Sequence, residues 1–263
     1  MAIQAKTAVR SAAANGKNGH SLISDAKFRQ LYALALRLQC LGADSSGWSP
    51  RAAALRRFAA ALSGVAADLR EGDSIFAGDA GPMADLLRDE LRTALDSSCG
   101  NAGQQRFAEG LGGAARDQLL KNGRVTVMLF PAQAVESSLF EAHAMASSAR
   151  LPVLFIEEGS RGVSAQKRQR GRSARAAAPV HAMPAIPVDA HDVIAMYRVA
   201  HESIARAREG SGPTRIVCLE APLAAGHTAD AVTDLELWLA ARGLPARTWR
   251  QEILAAAQSR TTA

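Results

Sequence analysis

Acidic side chains at the ends of apolar runs are the first candidates for chemistry in this chain. Glu136 stands about one helical turn beyond the run 125–130. Active-site groups of parallel α/β sheets gather at such strand ends, although an acid there also suits a helix N-terminus by offsetting its dipole. Glu157 and Glu158 close a second apolar run, 152–156, and two adjacent carboxylates could hold a metal. Neighbours on a strand point to opposite faces, so a shared ligand role is not expected. No other grouping has metal-site spacing: HExxH is absent, the six histidines are scattered, and Cys40, Cys99 and Cys218 form no CxxC pair. Those cysteines read as core or indifferent residues of a protein in a reducing cytoplasm. Gly110-Leu111-Gly112-Gly113 reads as a helix-entry turn or close packing, and neither GxxxxGK[ST], GxSxG nor a complete GxGxxG occurs.

The 263 residues suffice for one large domain or two small ones. With 48% hydrophobic and 21% charged residues, a wholly disordered chain is excluded. No apolar run approaches the ~20 residues of a membrane-spanning helix. The net charge of +6 is uneven, since six Arg/Lys fall between Arg161 and Arg175 without one acid. Such a run permits an acidic partner, phosphate or nucleic acid. It holds no aromatic residue to stack a base, and a solvated loop is the plainer reading.

Positioning these residues requires an α/β framework. Residues 1–23 are Ala/Ser/Lys/Arg-rich and read as a disordered tail, with an organellar transit peptide as the alternative; no apolar core suits a secretory signal. Ser24-Asp25 reads as the N-cap of an amphipathic helix reaching Cys40, and further helices are expected near 51–69, 83–96 and 114–121. Residues 71–82 read as a turn-rich connector, and the glycines at 100–113 as the approach to the fourth helix. Strands are expected at 125–130, 152–156, 186–188 and 214–219, with helices at 136–149 and 191–208, the latter capped by Asp189. Strand–helix alternation argues for a parallel sheet covered by helices, with its core in 124–219. Two surface helices follow, at 235–239 and 248–257.

The stretch GRVTVMLFPAQAVESSLFEAHAMASSARLPVLFIEEGS (123–160) resembles, without a gap, the cofactor-binding unit of the α subunit of thiamine-diphosphate-dependent 2-oxo-acid dehydrogenases. The family pattern is a strand ending in GDG, a helix with E-G-x-F-H-E-A, then L-P-V-x-F-x-x-E-N-N. Glu136, Glu141-Ala142, Leu151-Pro152-Val153, Phe155 and Glu158 match it. Downstream, IPVDAHDV and the strand after GSGP resemble I-P-x-x-V-D-G-x-D-V and G-x-G-P-T-L-I-E, and Gly226-His227-Thr228 falls at the R-G-H-S loop. More loosely, FRQLYALALRLQ and LREGDSIFAGDAG resemble the family's first helix and its D-x-x-F-x-x-Y-R-D-H-G turn. The resemblance implies a thiamine-diphosphate-binding-type α/β fold over residues 24–263, with a mobile basic loop at 159–180 over the active site. It implies His227 as the surviving catalytic candidate and Glu136 as a cofactor-side residue.

The departures fall on one constellation. In the family, the GDG aspartate and the first asparagine of N-N hold Mg²⁺ against the cofactor's diphosphate. Here Phe130-Pro131-Ala132 replaces GDG, Gly159-Ser160 replaces N-N, and Ala80 replaces the histidine of R-D-H-G. Mg²⁺ wants hard oxygen ligands; Pro131 supplies neither a carboxylate nor an N–H, Gly159 has no side-chain oxygen, and the Phe130 ring is expected to crowd the diphosphate. The isolated chain is therefore expected to bind neither cofactor nor metal, and to act as a pseudoenzyme scaffold or regulatory subunit. The alternative is an active dehydrogenase, with thiamine diphosphate, Mg²⁺, a β subunit and a lipoyl-carrying E2. A basic nucleic-acid-binding module is the third reading. Association with a β-like chain or a second copy is expected through the apolar helices near 28–40 and 134–149.

Overall fold

A computed structural model of the chain describes residues 23–44, 60–77, 103–130, 136–159, 183–219 and 230–261. Its centre is a five-stranded sheet, every neighbouring pair parallel, built from β1 (Ser74–Ala77), β2 (Thr126–Phe130), β3 (Val153–Glu158), β4 (Ala185–Asp189) and β5 (Thr214–Leu219) in the order β1-β2-β3-β5-β4. The strands expected at 125–130, 152–156, 186–188 and 214–219 are all present within two residues at either end. β1 is a correction, because those residues were expected in a connector. Four residues between turn formers carry too short a pattern to read, and their pairing to Thr126–Leu129 supplies the order.

Helices α1 (Asp25–Asp44), α2 (Gly103–Leu120), α3 (Glu136–Ser148), α4 (Val193–Arg208), α5 (Ala231–Ala241) and α6 (Ala246–Thr261) surround the sheet, with a further helical stretch at 60–66. Right-handed crossovers place α2 and α3 on one face, and the reversal from β4 to β5 places α4 on the other. Phe155 and Met128 face α2 and α3 in one apolar cluster, while Leu154, Ile156 and Ile216 face Met196, Ala200 and Ile204 of α4. α2 corrects a second expectation, since the glycines from Gly103 onward lie inside a helix. Gly110 permits this: a Cβ there would stand 3.1 Å from the Phe76 ring and 3.3 Å from Met128 Cε.

Ser24 caps α1 as expected, its Oγ accepting from Lys27 N–H. The cap of α4 is Asp192, which accepts from Ala195 N–H; Asp189 ends β4 and accepts from His191 N–H instead. The apolar surface of α1 is also corrected. Phe28, Leu31, Tyr32, Leu36 and Leu38 are buried within the chain, most of them under α5 and α6, and offer no face to a partner. Tyr32 O–H and Arg250 both donate to Glu236, joining these three helices. No described helix is long and apolar enough to cross a membrane.

Candidate functional site

Parallel pairing brings the C-terminal ends of β1, β2, β3 and β5 to one edge, where the sheet changes direction between β3, β5 and β4. Ligands of α/β sheets bind at that kind of edge. The segments carrying Ala80, Pro131, Ala132, Ser160, His227 and the basic run 161–175 each follow one of these strand ends and lie outside the described residues, as do Cys99 and the helix expected at 83–96. Glu136 is the first residue of α3. Phe130 and Gly159 are described in detail.

Phe130 is 1% exposed. Its ring lies 5.9 Å from that of Phe155 and 6.4 Å from that of His143, inside the α3 side of the sheet. The expected crowding is therefore revised: the ring fills the interface behind the strand end rather than the space in front of it. Gly159 continues the β3–β5 ladder past Glu158, its N–H donating to Cys218 O at 2.7 Å. A Cβ at Gly159 would meet that carbonyl oxygen at 2.8 Å and Leu219 Cδ2 at 2.6 Å. A backbone oxygen cannot step aside as a side chain can, so this position excludes any side-chain ligand as the strands stand. Pro131 brings no carboxylate. Neither Pro131 nor Gly159 therefore offers a side-chain oxygen to a Mg²⁺–diphosphate group.

The same edge holds a polar cluster. Glu157 is buried, and both its oxygens accept from Arg215 Nε at 2.8 Å. His143 Nε2 lies 2.8 Å from Glu157 Oε1, near enough for a charged contact but at an angle that makes no hydrogen bond. The imidazole stands edge-on to Phe155 at 4.6 Å. Glu158 alternates to the opposite face beside Cys218, and no group of three or more metal-ligating side chains occurs among the described residues. Burial, with Glu158 and Glu157 nearby, pushes the Cys218 thiol up to about 12, which makes it inert. Sequence reading missed the cluster. Its signal was a charge inside each of two apolar runs, VLFIEE and TRIVCL, but pairing them needs the β3–β5 register, which sequence alone does not supply.

Residues 69–221, more than half the chain, match the family described as "Dehydrogenase E1 component". This chain belongs to that family. The E1 chain is 33% identical over 111 residues to the pyruvate dehydrogenase E1 component subunit alpha of Porphyra purpurea, covering 40% of this chain and 32% of that one. It is 31% identical over 153 residues to the 3-methyl-2-oxobutanoate dehydrogenase subunit alpha of Mycobacterium tuberculosis, covering 54% and 42%. The matched stretches thus span less than half of either relative. Among solved structures it is similar to benzoylformate decarboxylase from Polynucleobacter necessarius, at a TM-score of 0.43 and 11% identity, over 68% of this chain and 35% of that one. The E1 match spans both Phe130 and Gly159, the two positions at this strand edge that the structure describes in detail.

Proposed function

We propose that this E1α-like chain is a non-catalytic scaffold or regulatory subunit that binds no Mg²⁺–thiamine diphosphate and acts in the cytoplasm beside a partner chain. The observation that carries this reading is Gly159, which continues the ladder to Cys218 and has no room for a Cβ, so this position offers a metal no side-chain ligand. Pro131, Ala132, Ser160 and Ala80 add to it by residue type alone. His227 keeps its address in the sequence without a cofactor to act on, and Glu136 serves as an N-terminal acid of α3.

The partner is a β-like chain or a second copy, and α3 is the helix that supports this. Leu139, Phe140, Ala142, Ala144, Met145 and Ala146 make it apolar around most of its circumference, a pattern of helices covered on both sides. One side faces the sheet, and on the other Phe140 and Met145 are 65% and 57% exposed.

Light scattering of the chain, alone and co-expressed with a β-like partner, tests association against the monomer mass of 27.6 kDa. A 2-oxo-acid decarboxylation assay on the same samples tests catalysis. The expected result is an assembly larger than one chain with no turnover. Turnover in the mixed sample would return the chain to the active-enzyme class, and a stable monomer that captures no partner would remove the scaffold reading.

A further inference from the structure

Three of the four asparagines in this chain precede a glycine, and one such pair, Asn122-Gly123, makes the turn from α2 into β2. Lys121 and Gly123 both take positive φ, 52° and 71°, so the chain reverses within three residues. Asn122, Gly123 and Arg124 are all exposed. A Cβ at Gly123 would meet nothing within 4 Å, and the Gly123 N–H has no hydrogen-bond partner among the described residues. The Asn122 side chain is held at both ends. Its Oδ1 accepts from Arg124 N–H at 3.0 Å, and its Nδ2 donates to Asp117 Oδ1 at 2.7 Å. The first contact is the local bond that asparagines make to the backbone two residues on, and the ring it closes contains the Gly123 amide.

We propose that Asn122-Gly123 is a self-modification site, at which the asparagine is converted through a succinimide to aspartate or isoaspartate, and that this conversion loosens the joint between α2 and the sheet. The Gly123 nitrogen forms a bond to Asn122 Cγ and the Cγ–Nδ2 bond breaks. Nδ2 leaves as ammonia, carrying the proton that the Gly123 N–H gives up. Water then opens the five-membered imide at either carbonyl. Arg124 N–H assists, because it donates to the oxygen on which charge develops during the attack. Asp117 opposes the step by holding Nδ2. The product replaces that donor with a carboxylate facing Asp117, which is only 6% exposed, so repulsion stands where a hydrogen bond stood. Isoaspartate also adds a methylene to the backbone beside Gly123, whose oxygen accepts from Arg208 Nη1 at 2.7 Å. The site is independent of whether the chain binds thiamine diphosphate.

Peptide mapping by mass spectrometry tests this on the full chain, aged near neutral pH at physiological temperature, with a urea-unfolded sample beside it as the chemical reference. Asn15-Gly16 and Asn18-Gly19, outside the described residues, carry the same dipeptide and report the chemistry within each sample. The peptide containing Asn122 is expected to gain the mass of an amide-to-acid exchange in the folded chain, as a mixture of aspartate and isoaspartate, and to do so more slowly than in urea because Asp117 holds Nδ2. Asn122→Asp should unfold at lower urea than Asn122→Ala, which loses the same hydrogen bonds without adding a charge. The mapping needs the parent chain alone, so it decides even where a variant fails to fold. The proposal is overturned if Asn122 stays an amide in the folded chain while the unfolded chain converts fully, or if Asn122→Asp is as stable as Asn122→Ala.

Discussion

The two ends of this sheet each bury a carboxylate against an arginine, and they do it differently. At the N-terminal edge, Asp73 Oδ1 accepts from Arg208 Nη1 and Val125 N–H at 3.0 and 2.8 Å, and Oδ2 accepts from Arg208 Nη2 and Arg70 N–H at 2.7 Å each. Arg208 Nη1 also reaches Gly123 O at 2.7 Å. Carboxylate and fork are both engaged there, tying the end of α4 to the starts of β1 and β2. At the C-terminal edge, Glu157 takes only the inner nitrogen of Arg215 and lies 2.8 Å from His143 Nε2, and the fork of Arg215 stays unspent. The first arrangement is a closed structural knot. The second keeps donors in reserve at the edge where α/β sheets meet their ligands.

That contrast can be broken by substitution, and the closed knot should suffer most. Removing one partner of a buried, hydrogen-bonded ion pair costs about 3–5 kcal/mol, so Asp73→Asn or Arg208→Met should unfold in urea far earlier than the parent. At the open edge, Gly159→Asn should cost roughly 1–3 kcal/mol by overpacking against Cys218 O. It should confer no Mg²⁺-dependent cofactor binding even when combined with Pro131→Asp. A stable double variant that binds would show that the β3–β5 ladder yields. Arg215→Met should cost less than Arg208→Met, on the order of 1–2 kcal/mol, because water reaches the half-buried head; equal losses would erase the distinction between the two ends.

The smallest effect is alkaline. The ordinary Cys218 thiol value of 9.0 is raised in the folded chain to about 12, first by burial and then by Glu158 and Glu157. A raised value means the folded state favours the neutral thiol. The stability it contributes is whole below pH 9 and is lost as pH rises from 9 toward 12. Burial and the Glu236 contact raise Tyr32 in the same sense. Urea midpoints should thus fall across this range, and Cys218→Ser should flatten part of the fall.

Much of the framework was legible because its strands are apolar runs and α4 keeps one apolar face. β1 was not, since four residues between Asp73 and Gly78 look like a turn until Thr126–Leu129 are set beside them. Nor was α2, where Gly110 reads as a breaker but serves as clearance for Phe76 and Met128. At the candidate site, residue types alone announced that Pro131 and Gly159 carry no side-chain ligand for a metal. That Gly159 has no room for a side chain, and that the Phe130 ring turns inward, depends on strand spacing and rotamer, which sequence does not carry. The Glu157–Arg215–His143 cluster needed three elements in register.

The proposed function turns on this E1α-like chain holding no Mg²⁺–thiamine diphosphate. Titration calorimetry with thiamine diphosphate, with and without Mg²⁺, measures it on the full chain. No Mg²⁺-dependent heat at sub-millimolar cofactor is predicted, because Pro131 and Gly159 supply no side-chain oxygen and Gly159 has no room for one. A clear isotherm that appears only when Mg²⁺ is present would contradict the account.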